Sequence, residues 1–318
     1  MFRSYLAFFT RPAEVVRGFR KEALRPDLIA GLTVAVVLLP QAIAYAFITQ
    51  VPPQVGLYTA IVAAIVGALW GSSNQLHTGP TSTASLLMFA ALLAVAEPGS
   101  ARYVAAAGVL AVMVGIFRLV LGLARLGLLV NFVSDSVIIG FTTGAAVLIW
   151  VSQVSALLRL DLPTSSSLTV TMANAIQHLG ETHLPSLLLG AGVVLLIAVL
   201  RRVNRKLPGP LIAMVLAAAC VAFFRLSEQG IKTMGKVSAG LPPLISLPLF
   251  DLELVGQLAG PALAIGAIGL VEAMSAARSI ASQTGQRLDS NQEFVGQGLA
   301  NIASGFFSGY AGKGAFSR

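Results

Sequence analysis

From Leu28 to Phe307 the chain runs through nine apolar stretches, most of them about the 20 residues that a helix needs to cross a hydrocarbon core. Their bounds are Leu28–Thr49, Val55–Trp70, Thr81–Ala96, Tyr103–Arg125, Leu129–Val151, Leu184–Leu200, Leu211–Phe224, Leu254–Ile280 and Phe294–Phe307. With no water to pair backbone groups, such stretches are confined to helices or closed barrels, and runs this long are helical. A polar loop separates the fifth from the sixth, with Asp161, Ser165, Ser166, Ser167, His178 and Glu181. Another, holding Gly and Pro, runs from Arg225 to Asp251. A tenth span starts near Gly314. Only 11% of the residues are charged, against about 25% in a soluble domain, so water is excluded as the main solvent of the surface. The fold expected is an all-α polytopic membrane protein.

The net charge of +8 would raise nucleic acid as a partner in a soluble protein. Here the distribution accounts for it. With the N-terminus inside, the inner segments hold 14 Lys and Arg and the outer ones 5, with Lys313 and Arg318 left near the tenth span. This is the positive-inside pattern, and it places the N-terminus in the cytoplasm without nucleic acid. Residues 1–25 carry Arg3, Arg11, Arg17, Arg20, Lys21 and Arg25 among Tyr5, Phe8 and Phe9, a composition suited to the membrane surface. The one cysteine, Cys220, cannot form an internal disulfide. His77, His178 and His183 show no metal-ligand spacing, no nucleophile–base pair stands out, and no cofactor is called for.

The third span is short. Its 16 residues make roughly 24 Å of helix against a core of about 30 Å. The polar segment Gly71–Pro80 precedes it, reading as extended backbone that leads into a helix starting within the membrane, where such backbone survives only in protein or beside a cavity. Pro80 suits the first helical position, and Thr81, Ser82 and Thr83 follow with hydroxyls and backbone N–H groups. A helix start carries roughly half a positive charge and attracts anions; an ordinary cap after a loop would look the same. The end of the chain, Gly305–Arg318, is also glycine-rich and also delivers a helix start. Two such interruptions point to a substrate site near the midplane. Arg318 would add positive charge there, or snorkel to an interface.

Three further residues carry candidate chemistry. Pro40 interrupts the first span, and Gln41 and Tyr45, four apart, share a face that could offer donors and an aromatic wall to a ligand or bind helix to helix. Glu272 is the only acid deep in the eighth span; it could carry a proton or pair with Arg278 or Arg318. Asp135, near the start of a span, is compatible with an interface.

These stretches together resemble the SulP family of anion transporters. The resemblance is carried by Arg25–Thr33, Leu39–Ala46, Pro53–Ala60, Gly71-Ser72-Ser73, Thr78-Gly79-Pro80-Thr81, Asn291–Phe294, Gly296–Asn301 and Gly314–Arg318. It implies two inverted seven-helix repeats, as in uracil permeases, with discontinuous third and tenth helices. The core domain, 26–126 with 252–318, would move against a gate domain, 127–251, in elevator fashion. The transported anion would be sulfate, bicarbonate, chloride or a dicarboxylate, with the proton as candidate co-substrate, in a bacterial inner membrane and as a candidate homodimer. Gln41, Tyr45, Thr81, Ser82, Phe316 and Ser317 would bind substrate, Arg318 would supply positive potential, and Glu272 would couple. Departures are Val55, Asn74, Lys313 and Ala315; the last two stand where the family more often has neutral and hydroxyl residues. Family members continue to fourteen spans and usually a STAS domain, so the chain is expected to stop within the tenth helix. An anion channel and a nucleobase permease are the competing readings; Gly79-Pro80-Thr81 and Ser317-Arg318 speak against the permease.

Overall fold

The computed structural model describes residues 2–18, 21–128, 135–160, 168–204, 207–231, 233 and 240–315. Among them are eleven α-helices: α1 (Phe2–Arg17), α2 (Leu24–Thr49), α3 (Pro53–Trp70), α4 (Ser82–Leu93), α5 (Ala101–Leu123), α6 (Asp135–Leu158), α7 (Leu168–Gln177), α8 (Leu184–Val203), α9 (Gly209–Phe223), α10 (Leu252–Thr284) and α11 (Ser290–Phe306). Two short strands, β1 (His77–Gly79) and β2 (Lys313–Ala315), form an antiparallel pair.

Several helices start where local chemistry supplies a cap. Ser100, Asp251 and Asp289 accept backbone N–H groups at the starts of α5, α10 and α11, satisfying donors that a helix start leaves unpaired. Pro53 opens α3 at the position where a missing N–H is harmless. Gly285 ends α10 at φ +71, in the left-handed region that glycine enters freely.

Among the described residues α2, α3, α5, α8 and α10 are long and apolar enough to cross a membrane, while α4 and α9 are apolar but shorter. Three expectations are corrected. The loop expected between the fifth and sixth spans contains α7: Leu168, Met172, Ala175 and Ile176 recur at helical spacing, too briefly to register as a span. The third span contracts to the 12 residues of α4, about 18 Å of helix. Its first helical residue is Ser82, with Thr81 as the cap and Pro80 outside the helix.

The described chain divides into two compact units. One comprises residues 1–31, 42–142 and 239–318. Its apolar core joins Met88 and Leu92 of α4, Tyr103, Leu110 and Val114 of α5, Leu254, Leu258 and Ile265 of α10, and Tyr310. In it α11 packs along α5 with glycines of each helix set against the backbone of the other. A Cβ on Gly115 would lie 2.7 Å from the Gly298 carbonyl oxygen, and one on Gly298 2.7 Å from the Leu119 nitrogen. Small residues of this kind let membrane helices approach backbone to backbone. The other unit, residues 32–41 and 143–238, contains the α8–α9 pair. Its large apolar side chains, such as Leu188, Val194, Leu195 and Leu216, are exposed.

A candidate anion site at the paired broken segments

The two glycine-containing segments expected to precede broken helices meet. Gly79 pairs with Lys313, Thr78 with Gly314 and His77 with Ala315. They come so close that a Cβ on Gly312 would lie 2.5 Å from the Gly79 carbonyl oxygen, so Gly312 admits no larger residue without a backbone shift. After Gly79 the chain passes Pro80 and enters α4 at the Thr81 cap, whose hydroxyl accepts the Ala84 N–H at 3.4 Å. The first N–H groups of any helix lack intrahelical partners, so the start of α4 presents donors beside the strand pair.

Extended backbone at membrane depth needs protein partners. A polar stripe on α11 supplies them, with Glu293, Gln297 and Asn301 recurring every four residues on one face. Glu293 Oε2 accepts the Ser72 and Ser73 N–H groups at 2.8 and 3.1 Å. Gln297 Nε2 donates to Thr78 Oγ1 (3.0 Å) and to Glu293 Oε1 (3.1 Å), while its Oε1 accepts the Gly314 N–H. Asn301 Oδ1 accepts the Gly312 N–H at 2.9 Å. From α3, Thr59 Oγ1 accepts the Tyr310 N–H at 2.8 Å, and the Tyr310 hydroxyl meets Ser85 Oγ of α4 at 2.9 Å. The sequence reading gave these α11 residues no role; a four-residue polar period within an apolar span was the signal that could have found them.

The charges are buried with the strands. Glu272 Oε2 forms an ion pair with Lys313 Nζ and accepts a hydrogen bond from Thr83 Oγ1 at 3.2 Å. One carboxylate oxygen thus ties α10 to β2 and to the first turn of α4. The partner is Lys313, whereas the sequence suggested Arg278 or Arg318; Arg278 is exposed on α10. Glu272 Oε1 is buried and has no hydrogen-bond partner among the described residues. Arg118 of α5 is fully buried, donating from Nη1 to Gly312 O (2.7 Å), from Nη2 to Ile265 O (3.2 Å) and from Nε to Gly266 O (3.3 Å). It is therefore no loop cation, and the inner tally of 14 loses one member. Gly269 gives the guanidinium its place: a Cβ there would lie 2.0 Å from Nη2 and 3.7 Å from Lys313 Cβ.

Of the residues singled out from sequence, Thr81, Ser82 and Glu272 come together here. Tyr45 lies half-buried on α2 in the same unit, on a turn held by Thr49, whose hydroxyl donates to the Tyr45 carbonyl and, at 3.4 Å, to that of Ser85. Gln41 ends the segment grouped with the second unit. Phe316, Ser317 and Arg318 lie outside the described residues, as does the Asp135 side chain.

The model of the sulfate permease family matches residues 24–318. A probable sulfate transporter of Arabidopsis thaliana (4.2) is 35% identical over 312 residues, 95% of this chain and 46% of that protein. A probable sulfate transporter of Mycobacterium tuberculosis is 33% identical over 302 residues, 95% of this chain and 54% of that one. The chain thus spans about half the length of the curated relatives it matches. Among solved structures, the transmembrane domain of the cyanobacterial bicarbonate transporter BicA superposes with TM-score 0.83 and 26% identity, covering 94% of this chain and 76% of that one. Murine Slc26a9, an anion transporter in its inward-facing state, gives TM-score 0.90 at 21% identity over 100% of this chain and 56% of its own, a likeness of fold. The architecture is that of the seven-plus-seven inverted-repeat membrane domains, of which this chain holds a part. The chain is a multi-pass membrane protein and belongs to the sulfate permease family.

Proposed function

We propose that the protein is a secondary active transporter of a small anion, drawn from sulfate, bicarbonate, chloride and dicarboxylates, and that protons drive it through Glu272. The observation that carries this reading is the pairing of two extended segments at the start of α4, with a buried carboxylate bonded to both sides of the junction. A helix start in a low-dielectric surrounding favours an anion, and an intramembrane carboxylate is costly enough to mark function. The names of the relatives support the substrate class. In this reading Thr81 and Ser82 form one wall of the site, Gln41 and Tyr45 a second, and Phe316 and Ser317 a third, with Arg318 adding positive potential. The core, 26–126 with 252–318, moves against the gate, 127–251, as an elevator; the two compact units follow this division for most of the chain but group 32–41 with the gate side and 127–142 with the core side. The protein sits in a bacterial inner membrane with its N-terminus cytoplasmic, as a homodimer.

The test is uptake of labelled sulfate, bicarbonate, chloride and a dicarboxylate by liposomes holding the full-length protein, with and without an inward proton gradient. At least one anion should accumulate faster with the gradient, and counterflow should saturate, which a channel would not show. Glu272→Gln should abolish the proton stimulation. Movement of none of the four would overturn the reading, and unchanged stimulation in the variant would remove the role of Glu272.

A further inference from the structure

We propose that the Lys313 ammonium is a mobile cation shared between Glu272 and the transported anion, with the charge on Glu272 setting how much of it the anion receives. This rests on the anion-transport reading above. The backbone around Lys313 is pinned: Gly312 N–H to Asn301, Gly312 O to Arg118, Gly314 N–H to Gln297, and the residue itself in register with Gly79. Only the four-carbon stem is left to move, and a lysine stem turns freely about it. The ammonium already lies at the start of α4, because the oxygen that holds it also accepts from Thr83 Oγ1 in the first turn. Arg118 cannot serve in the same way, since each of its three nitrogens is committed to a backbone carbonyl.

The carboxylate is asymmetric. Oε2 carries both contacts, while Oε1 is buried without a partner among the described residues. A proton arriving from water can bond to Oε1 without displacing any donor. Glu272 is then neutral, and its hold on Lys313 falls from an ion pair to an ordinary hydrogen bond. A buried ammonium released in this way needs another counter-charge, because an unpaired charge in low dielectric is strongly disfavoured. An anion at the start of α4 supplies it. Among the described residues the charged groups around Glu272 are few. β2 contributes Lys313, α5 contributes Arg118, and α4 has no ionisable side chain. On α11, Glu293 is occupied by Ser72, Ser73 and Gln297, and on α10 itself Arg278 is exposed.

The alternative is that Lys313 only balances Glu272. The full-length protein with Glu272→Gln, and with Glu272→Gln plus Lys313→Met, separates the two, because the double variant removes both charges of the pair. Binding of labelled sulfate, bicarbonate and chloride is measured across pH, alongside thermal unfolding. Glu272→Gln should bind anion at least as tightly as the wild type, with the pH dependence lost. The double variant should unfold near the wild-type temperature yet bind anion about tenfold to hundredfold more weakly than Glu272→Gln, the worth of a hydrogen bond to a charged group. Agreement of the two variants within about twofold would overturn the proposal and leave the transport reading standing. A wild-type protein that binds none of the three anions would overturn both.

Discussion

Removing the Lys313 ammonium alone would strand the Glu272 carboxylate in the core, with Thr83 as its remaining donor among the described residues. Breaking a buried pair from one side costs about 3–5 kcal/mol, whereas removing both members is often nearly neutral. Lys313→Met should therefore lower the thermal unfolding temperature of the purified protein sharply, and adding Glu272→Gln should restore most of it. Arg118 makes a second prediction. Arg118→Leu takes the guanidinium donor from the Gly312 carbonyl, a loss worth about 1–3 kcal/mol, while the Ile265 and Gly266 carbonyls lie inside α10 and keep their helical donors, so the variant should lower the unfolding temperature. Arg118→Lys should rescue little, because a single ammonium cannot span the three carbonyls that the planar fork reaches. Neither role was legible in sequence. Glu272 stood out because an acid deep in an apolar run is rare, but its partner lies 41 positions along the chain. Arg118 has apolar neighbours on both sides, and its carbonyl partners at 265, 266 and 312 belong to other elements.

At the scale of elements, the long helices could be read because each carries its own apolar run. Segment α7 was hidden by the polar company of its ten residues, and α4 came out shorter than its apolar run because the turn after Leu93 remains apolar. The β1–β2 pair had no local signal: two three-residue segments more than 230 positions apart carry no register in their own pattern. What fixes them is the α11 stripe and the α5–α11 seam. Gly298→Leu should force the seam apart and reduce folded yield and unfolding temperature, while a leucine at Gly256, where an added Cβ meets nothing, should be tolerated. Size-exclusion profiles and thermal unfolding of the two variants check the contrast. Gln297→Leu should leave the Gly314 N–H unpaired and weaken anion binding by loosening β2 beside Lys313.

At the scale of the molecule, orientation follows from where the cations lie. The loss of Arg118 from the inner tally leaves the bias strong, with Arg201 and Arg202 closing α8 and Arg225 just beyond α9 on the opposite side in the N-inside scheme. In a Cys220→Ser background, a cysteine at 202 should react with a membrane-impermeant maleimide only after permeabilisation, and one at 225 should react in intact cells; the reverse pattern would invert the topology. Fold and family were legible because many short motifs are spread along the chain. The residues proposed to complete the site, Phe316 to Arg318, lie outside the described residues.

The central claim is that an anion is held at the start of α4, beside the Lys313–Glu272 pair. The most direct measurement is a structure of the full-length protein bound to selenate or bromide, with the anion located by its anomalous scattering. The account predicts a single strong peak within hydrogen-bonding reach of the Ser82 and Thr83 backbone N–H groups. A peak elsewhere in the protein, with none at that helix start, would contradict it.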